Sequence, residues 1–270
     1  MSETTKRVRV HHLWAKKQRG ERISMLTAYD AVTARIFDEA GVDMLLVGDS
    51  IGNTMHGHAT TLPVTLEDMI PPARAVAGAA QRAFVVVDLP FGTYEAGPQQ
   101  ALESAVRIMK TTGADAVKLE GGRRSAAQIR AITDAGVPVV AHLGYTPQSE
   151  NLLGGPRVQG RGDEAAERIS EDAIAVADAG AVAVVLEMVP APVAARVTEI
   201  VSIPTIGIGA GAECDGQVLV WVDMAGMGDW SPRFAKRFGE VGAALKAAAT
   251  AYVEEVRAGT FPDAAHSFEK

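Results

Sequence analysis

The feature that most constrains the fold of this chain is a junction that recurs along it. A predicted helix ends in small residues and a glycine, and a strand that is apolar at nearly every position follows at once. The junction occurs at 38–49, 110–121, 133–144 and 177–188. A glycine just past a helix readily adopts the left-handed conformation that ends it. Strands that are apolar throughout are buried on both faces, and their alternation with helices predicts a parallel sheet.

Counted over the whole chain, the same pattern predicts eight strands and the helices that connect them. The strands lie at 22–28, 44–49, 84–90, 116–121, 138–144, 183–189, 204–209 and 218–224. The connecting helices lie at 30–40, 66–81, 98–112, 124–135, 163–179 and 191–201. A helix at 11–18 is expected to cap the bottom of the sheet, and an Ala-rich helix at 232–257 follows strand eight. The connection at 210–217 is too short for a helix.

Eight strands in this order favour an α/β fold of one kind, the closed (β/α)8 TIM barrel, over an open doubly wound sheet. The chain has 270 residues, and such barrels use about 250 residues as one domain. We therefore expect a single domain over 1–270, with an N-terminal capping helix.

Composition limits the partners and the cellular location that we expect for this protein. The formal net charge of −7 argues against nucleic acid as a partner. No stretch reaches about 18 uninterrupted apolar residues, and the basic start lacks an apolar segment of signal-peptide length. We therefore expect no membrane partner and no export signal. The lone cysteine, Cys214, has no second cysteine with which to form an internal disulfide. Together these features favour a cytoplasmic protein.

Titratable side chains stand at the ends of five consecutive predicted strands, from the second to the sixth. They are Asp49 with the neighbouring Ser50, then Asp88, then Lys118 and Glu120, then His142, and then Glu187. In a (β/α)8 barrel the chemistry lies at the carboxyl ends of the strands. Each residue alone is equally compatible with a private salt bridge at the rim. Five strand ends in a row favour one shared site.

Three of these residues, Asp49, Asp88 and Glu120, form an oxygen-rich set on neighbouring strands. Burying several carboxylates is costly unless positive charge compensates them, and hard oxygen ligands suit Mg2+. Lys118 and Glu120 are two residues apart, so both side chains point to the same side of their strand. Lys118 is therefore expected to offset the carboxylate charge or to bind a carboxylate of the substrate.

Two other patterns have better structural interpretations than chemical ones. His56 and His58 form an HxH pair that is able to bind zinc, but it lies in a polar loop without a clear third imidazole. The segment GIGAGA at 207–212 fits a dinucleotide-binding loop, yet the residues after it do not begin a helix. We interpret these glycines as permitting close backbone approach at the top of the barrel.

Four further residues lie outside the strand-end set. Asp30 is expected to cap the first barrel helix. Asp223, at the predicted end of strand eight, is as compatible with a supporting role at the site as with none. Arg157 and Arg161 lie in the Gly-rich loop 152–163, which is either a lid or a flexible surface segment.

The motifs together resemble the ketopantoate hydroxymethyltransferase family, within the wider phosphoenolpyruvate/pyruvate barrel superfamily. The matching stretches are MLTAYDAVTA (25–34), LLVGDSIGNTMHGH (45–58), TLPVTLEDM (61–69), VVVDLPFGTYE (86–95), AVKLEGG (116–122), AHLGYTPQS (141–149), VLEMVP (185–190) and PTIGIGAGAECDGQVLVWVDMAGM (204–227). They run in order over nearly the whole predicted domain, which is far more specific than any one motif.

The resemblance implies a role for each strand-end residue. Asp49 and Asp88 match the metal-binding aspartates of the family, and Glu120 completes the metal shell directly or through water. Asp49 and Asp88 thereby also lie against the metal-chelating oxo acid. Ser50 and Lys118 match the residues that hold the substrate carboxylate, and His142 matches a residue near the substrate. Glu187 matches the general base.

The resemblance also implies the reaction. A hydroxymethyl group passes from 5,10-methylenetetrahydrofolate to 3-methyl-2-oxobutanoate by way of a Mg2+-stabilised enolate, and the product is ketopantoate, an intermediate of pantothenate and coenzyme A biosynthesis. Mg2+ is the implied cofactor, the folate is a co-substrate, and the implied assembly is a homodecamer.

Other functions are compatible with the same residues. A Schiff-base aldolase would use Lys118 as its nucleophile, although the carboxylates nearby favour the charged, unreactive ammonium form. Another metal-dependent 2-oxo acid lyase of the superfamily is the second alternative, but the chain has no cysteine in a place that matches the reactive loop of many such enzymes. A third, an inactive binding barrel, is expected to have lost at least one of the strand-end residues, and all are present.

Overall fold

The structure is a computed structural model that describes residues 6–268. The chain divides into two compact units, of which the first ends at Leu219 and the second begins at Val220. All strands among the described residues belong to the first unit. The single domain over 1–270 stays a prediction.

Eight parallel strands close into a barrel in chain order, which confirms the predicted (β/α)8 fold. The strands are β1 Ile23–Thr27, β2 Met44–Val47, β3 Phe84–Asp88, β4 Ala116–Glu120, β5 Val139–Gly144, β6 Ala183–Glu187, β7 Thr205–Ile208 and β8 Gly216–Leu219. β8 closes the ring by pairing with β1, where Val218 lies opposite Met25. Every residue of β2, β3 and β4 is buried, as the apolar runs predict.

Helices follow most strands at the predicted places. In the first unit they are α1 Val10–Arg19, α2 Ala31–Glu39, α3 Ile51–Thr54, α4 Leu66–Ala79, α5 Pro98–Thr112, α6 Ala126–Asp134, α7 Glu150–Leu153, α8 Asp163–Asp178 and α9 Ala191–Ile200. In the second unit they are α10 Trp221–Met224 and α11 Val241–Ala258. Asp30 caps α2 as predicted, because its carboxylate accepts from the backbone N–H groups of Val32 and Thr33. Within residues 6–268, no helix is both long and apolar enough to span a bilayer.

The predicted eighth strand, 218–224, was wrong at both ends. β8 begins at Gly216 and ends at Leu219, and the residues that follow turn into the short helix α10. Gly216 pairs with Ile23, and a Cβ at Gly216 would lie 2.4 Å from the Ile23 carbonyl oxygen, so a larger residue would push the strands apart. A short apolar run such as LVWVDM fits a strand or a buried helix equally well, and periodicity alone does not separate the two.

The predicted Ala-rich helix, 232–257, was wrong at its beginning, because α11 starts at Val241. The residues before it form hydrogen bonds to α10 instead of a helix of their own. The backbone N–H of Phe238 donates to the Met224 carbonyl, and that of Val241 donates to the Ala225 carbonyl. Gly239 within this stretch also lowers the helix propensity.

The predicted capping helix is confirmed, and the N-terminal segment contacts the bottom of every even-numbered strand. Arg7 pairs with Asp115 before β4 at 2.8 Å, and Lys17 pairs with Asp215 before β8 at 2.7 Å. Lys16 pairs with Asp43 before β2 at 3.0 Å. Before β6 stands Val182, and its carbonyl accepts from the Trp14 indole N–H at 3.0 Å. Four polar contacts thus hold this segment against the barrel.

Asp43, which precedes β2, is shared by two cations. Its carboxylate pairs with Lys16 at 3.0 Å and Arg82 at 2.8 Å and accepts from the Ser24 backbone N–H at 3.0 Å. Burial opposes its ionisation, but the hydrogen bond from Ser24 and the two cations outweigh burial and hold the pKa of Asp43 below its ordinary 3.8. The ionised form is therefore the stabilising one.

We expect Asp43→Asn to lower the free energy of unfolding at pH 7 by about 2–3 kcal/mol, because Lys16 and Arg82 lose their shared counter-charge. A carboxyl whose pKa is depressed by folding contributes stability above its unfolded pKa and loses it as the pH falls through the folded pKa. The deficit should thus be full at neutral pH and shrink only below 3.8, the ordinary value. Urea unfolding at a series of pH values measures it, with the exposed Asp134→Asn as control. A deficit that does not change with pH would contradict this account.

Candidate active site

The side chains predicted to meet at the barrel mouth are brought together there. Asp49 follows β2, Asp88 ends β3, Lys118 and Glu120 lie in β4, His142 lies in β5 and Glu187 ends β6. Asp49, Asp88, Lys118, Glu120 and His142 are each at most 4% exposed. Ser50 and Glu187 are partly exposed. Five buried titratable groups on four neighbouring strands make one shared cluster, and the alternative of separate rim salt bridges does not describe it.

An ion pair between Lys118 and Asp88 joins β3 to β4 inside the mouth. The Lys118 Nζ lies 2.9 Å from one Asp88 oxygen, and the other Asp88 oxygen accepts from the Asp49 backbone N–H at 3.0 Å. Burial lowers the pKa of Lys118, but Asp88, Glu120 and Asp49 outweigh it and raise that pKa above its ordinary 10.5. Lys118 is a permanent cation in this arrangement.

His142 bridges two carboxylates. Its Nδ1 lies 3.3 Å from Glu120 Oε1, and its Nε2 lies 3.3 Å from Glu187 Oε2. Lys118 Nζ also approaches Nδ1, at 3.3 Å. Burial and Lys118 favour the neutral ring, but the two neighbouring carboxylates, Glu120 and Glu187, prevail and raise the pKa of His142 to about 9. The His142 ring thus stands between Glu120 and Glu187.

The backbone around Glu187 is held in an unusual conformation. The next residue, Met188, has φ of +48°, which non-glycine residues rarely adopt. Its N–H donates to the Ile208 carbonyl at 2.9 Å, and the Glu187 carbonyl accepts from the Tyr145 N–H at 2.8 Å. A Cβ at Gly144 would lie 2.2 Å from the Glu187 carbonyl oxygen, so β5 needs a glycine there. Strain held by such neighbours is typical of functional positions.

The cluster holds more negative charge than its cations balance at close range. Burial, Asp88 and Glu120 raise the pKa of Asp49 to about 8, although Lys118 and a hydrogen bond from Gln148 oppose the shift. Asp88 Oδ1 is buried and faces Lys118 at 2.9 Å, and Glu120 Oε1 is buried and faces His142 at 3.3 Å. Among the described residues, neither oxygen has a hydrogen bond of acceptable geometry. A bound cation would favour the ionised form of Asp49 and would give both oxygens a further partner. An all-oxygen set of this kind suits a hard divalent cation.

The carboxylates are not preassembled as a ligand shell. Among residues 6–268, no three His, Cys, Asp or Glu side chains are close enough together to hold a metal ion. Asp88 faces Lys118, and Asp49 faces Gln148. The donor chemistry of these carboxylate oxygens fits Mg2+.

Gln148 is a functional-site residue that the sequence did not single out. It lies in the 3₁₀ turn Pro147–Ser149 after β5 and is 5% exposed. Its Nε2 donates to Asp49 Oδ2 at 2.8 Å and to the Leu89 carbonyl at 3.0 Å. Its backbone N–H donates to Glu120 Oε2 at 3.1 Å, and its Oε1 accepts from the Tyr94 hydroxyl. No periodicity or charge marks an amide in a loop.

Tyr29 is a second such residue. Its hydroxyl shares a hydrogen bond of 2.8 Å with the Ser50 hydroxyl. Tyr29 is buried, and burial raises the pKa of its phenol. Ser50 therefore presents its hydroxyl beside Asp49 from a fixed position at the start of α3.

The weaker candidates lie outside the cluster. His56 and His58 are exposed, with ring centroids 5.7 Å apart. The segment 207–212 runs from β7 into a loop, and within the described chain no helix follows it before β8. Asp223 lies in α10 and not at a strand end, so the strand-end position assumed for it was wrong.

The loop that carries Arg157 and Arg161 leaves both side chains exposed. Between them, the Gln159 backbone N–H donates to the Met188 carbonyl at 2.9 Å. This contact fixes the middle of the loop next to Glu187, and the choice between a lid and a surface segment stays open.

Comparison with known proteins gives a match over nearly the whole chain. The family model described as ketopantoate hydroxymethyltransferase matches residues 7–264. A relative from Leifsonia xyli subsp. xyli (strain CTCB07), named 3-methyl-2-oxobutanoate hydroxymethyltransferase, is 60% identical over 268 residues, or 99% of this chain and 96% of its own. A relative of the same name from Rhodococcus jostii (strain RHA1) is 60% identical over 97% of this chain and 91% of its own.

Solved structures share the fold at much lower identity. A phosphonopyruvate hydrolase aligns with a TM-score of 0.62 at 14% identity, over 97% of this chain and 92% of that chain. A 2,3-dimethylmalate lyase, described as a PEP mutase/isocitrate lyase superfamily member, aligns with a TM-score of 0.59 at 17% identity, over 96% and 92%. Identities this low establish the fold and nothing finer.

Proposed function

The chain belongs to the ketopantoate hydroxymethyltransferase family of enzymes, and from this premise we propose that it transfers a hydroxymethyl group from 5,10-methylenetetrahydrofolate to 3-methyl-2-oxobutanoate, giving ketopantoate. The observation that carries the proposal is the buried cluster of Asp49, Asp88 and Glu120 around Lys118, with Glu187 beyond His142. Such a mouth suits a 2-oxo acid, because the mouth offers a cation for the substrate carboxylate and a base for the carbon next to the ketone.

We assign Mg2+ to the oxygens of Asp49, Asp88 and Glu120. When bound, Mg2+ would supply Lewis acid polarisation of the substrate ketone. The two buried carboxylate oxygens without a well-formed hydrogen bond support this assignment. A phosphonopyruvate hydrolase of the same fold has been crystallised with oxalate and Mg2+, which adds weaker support.

The other residues bind and deprotonate the oxo acid. Lys118, a buried cation, and the Ser50 hydroxyl hold the substrate carboxylate, and His142 borders the substrate. The carboxylate of Glu187 accepts the proton from C3, and the electron pair of the C–H bond passes into the enolate. C3 then forms a bond to the methylene carbon of the folate as the bond from that carbon to one folate nitrogen breaks. Water replaces the second folate nitrogen and becomes the hydroxyl group, and the two nitrogens of the departing tetrahydrofolate take up one proton from Glu187 and one from the water. General bases of this kind contribute about 10²–10⁴-fold in rate.

A Schiff base on Lys118 is the alternative enzyme mechanism. The nucleophile would have to be the neutral amine, but Asp88 at 2.9 Å holds the ammonium form. The other alternative is a lyase of the same superfamily. It is less well supported, because both 60% identical relatives are named hydroxymethyltransferases.

The assembly that we propose is the homodecamer implied by the family. α11 has 18 residues, and none of them is buried. Its exposed apolar side chains are Val241, Leu245, Tyr252, Val253 and Val256. An apolar helix face of this size normally has a partner, which supports a homo-oligomer. We also propose a cytoplasmic location, in keeping with the buried, unpaired Cys214.

The proposed function is tested by proton NMR of 3-methyl-2-oxobutanoate in heavy water without folate. We expect the C3 proton signal to disappear with Mg2+ and to persist with EDTA, a rate difference of about 100-fold or more, since Lewis acid stabilisation amounts to several kcal/mol. If neither condition gives exchange, methylenetetrahydrofolate is added and ketopantoate is sought. Absence of the product as well would overturn the proposal.

A further inference from the structure

The geometry points to Gln148 as the positioning residue that aims Asp49 and Glu120 at the cation. The inference rests on the proposed function, because it takes those two carboxylates as part of the Mg2+ site. Gln148 donates to one oxygen of each: its side chain to Asp49 Oδ2 at 2.8 Å and its backbone to Glu120 Oε2 at 3.1 Å. Asp49 Oδ1 and Glu120 Oε1 are left without a hydrogen bond from Gln148.

The orientation of the Gln148 amide is set by its other two partners. Nε2 lies 3.0 Å from the Leu89 carbonyl oxygen, which only accepts, so the atom there must be the nitrogen. On the opposite side, the Tyr94 hydroxyl accepts from the Glu120 backbone N–H at 3.2 Å, and its single proton is donated to Gln148 Oε1. A reversed amide would place Oε1 against two acceptors, Leu89 and Asp49.

These contacts tie three strand ends to the loop after β5. Asp49 follows β2, Leu89 follows β3 and Glu120 ends β4. Both Nε2 protons are used, and the network lies at a site from which water is largely excluded, where Gln148 is 5% exposed. Residues that orient metal ligands through hydrogen bonds commonly change metal affinity by about 10–100-fold when replaced.

The test is the dissociation constant of Mg2+, measured by calorimetry on the full-length protein without substrate. We expect Gln148→Met to raise this constant by about 10–100-fold, because it keeps the size of the side chain but removes the side-chain hydrogen bonds to Asp49, Leu89 and Tyr94; the backbone hydrogen bond to Glu120 is retained. We expect Tyr94→Phe, which keeps the amide but removes the group that orients it, to raise it by about threefold to tenfold. The second variant keeps the inference testable if the first does not fold.

The matched control is Ser125→Ala. Ser125 is buried, and its hydroxyl donates to the Glu120 backbone carbonyl at 2.8 Å, so the variant removes a buried hydrogen bond next to the same ligand without touching a carboxylate. Its Mg2+ dissociation constant should stay that of the wild type. For Gln148→Met, the Mg2+ concentration that gives half-maximal C3 exchange should rise, while the plateau rate at saturating Mg2+ falls far less.

The outcomes separate the inference from the proposed function. Wild-type protein that binds no Mg2+ would remove the metal site itself. Wild-type protein that binds Mg2+, together with a Gln148→Met variant of unchanged affinity, would overturn only the role of Gln148. An equal loss of affinity in Ser125→Ala would reduce that role to general packing.

Discussion

Glu187→Gln is expected to slow exchange of the C3 proton of 3-methyl-2-oxobutanoate by about 10²–10⁴-fold, the contribution of a positioned general base. Glutamine keeps the size of the side chain and an oxygen able to face His142 Nε2, which lies 3.3 Å from Glu187 Oε2. It cannot take up the substrate proton. Substrate affinity, measured by calorimetry with Mg2+, should therefore change little while the exchange rate collapses.

The control for this variant is Glu150→Gln. Glu150 is a nearby carboxylate that accepts from the Tyr145 hydroxyl at 3.0 Å and does not contact the buried cluster. We expect its exchange rate to stay within about twofold of the wild type, as for most substitutions outside a site. Normal exchange in Glu187→Gln would remove Glu187 from the role of base. A loss of exchange accompanied by loss of binding would indicate a role in substrate binding.

Lys118→Met is expected to lower the free energy of unfolding of the metal-free protein by about 3–5 kcal/mol, the usual cost of breaking a buried ion pair from one side. Asp88 would lose the ammonium 2.9 Å away, and Asp49 and Glu120 would lose its favourable charge. Mg2+ should restore part of the stability, because it supplies positive charge to the same oxygens. Urea unfolding with and without Mg2+ measures both effects.

The double variant Lys118→Met/Asp88→Asn provides the control for the charge argument. Asp88→Asn removes the carboxylate that Lys118→Met leaves unpaired and lessens its repulsion with Asp49 and Glu120, so the double variant should be more stable than Lys118→Met alone. An additive loss would show that packing and not charge is responsible. Borohydride treatment of the wild type with substrate decides the rival mechanism: a covalent adduct on Lys118 would establish a Schiff base, and we expect none.

Local patterns in the sequence were sufficient for most of the barrel. The pattern of a helix that ends in glycine and is followed by an apolar strand depends on only a few neighbouring residues. It predicted the bounds of β2, β4, β5 and β6 to within about two residues, inside the usual boundary error. It failed at β8 and at the start of α11. There the outcome depended on which distant residue supplied the hydrogen bond. The Ile23 N–H donates to the Asp215 carbonyl beside Gly216, and the Phe238 N–H donates to the Met224 carbonyl. No local pattern carries that information.

The members of the site cluster were also determined by the sequence, because the carboxyl ends of parallel strands must meet at one mouth. The side chains at those strand ends must therefore lie in that mouth. They are Asp49, Asp88, Lys118, Glu120, His142 and Glu187. Only the tertiary structure decided how these groups are charged and held. The raised pKa values of Asp49 and His142 depend on distances between strands, and the contacts of Gln148 depend on a loop folding back over β2, β3 and β4. Such contacts join residues far apart in the chain, up to 99 positions for Gln148 and Asp49, and their energy exists only once the barrel has closed.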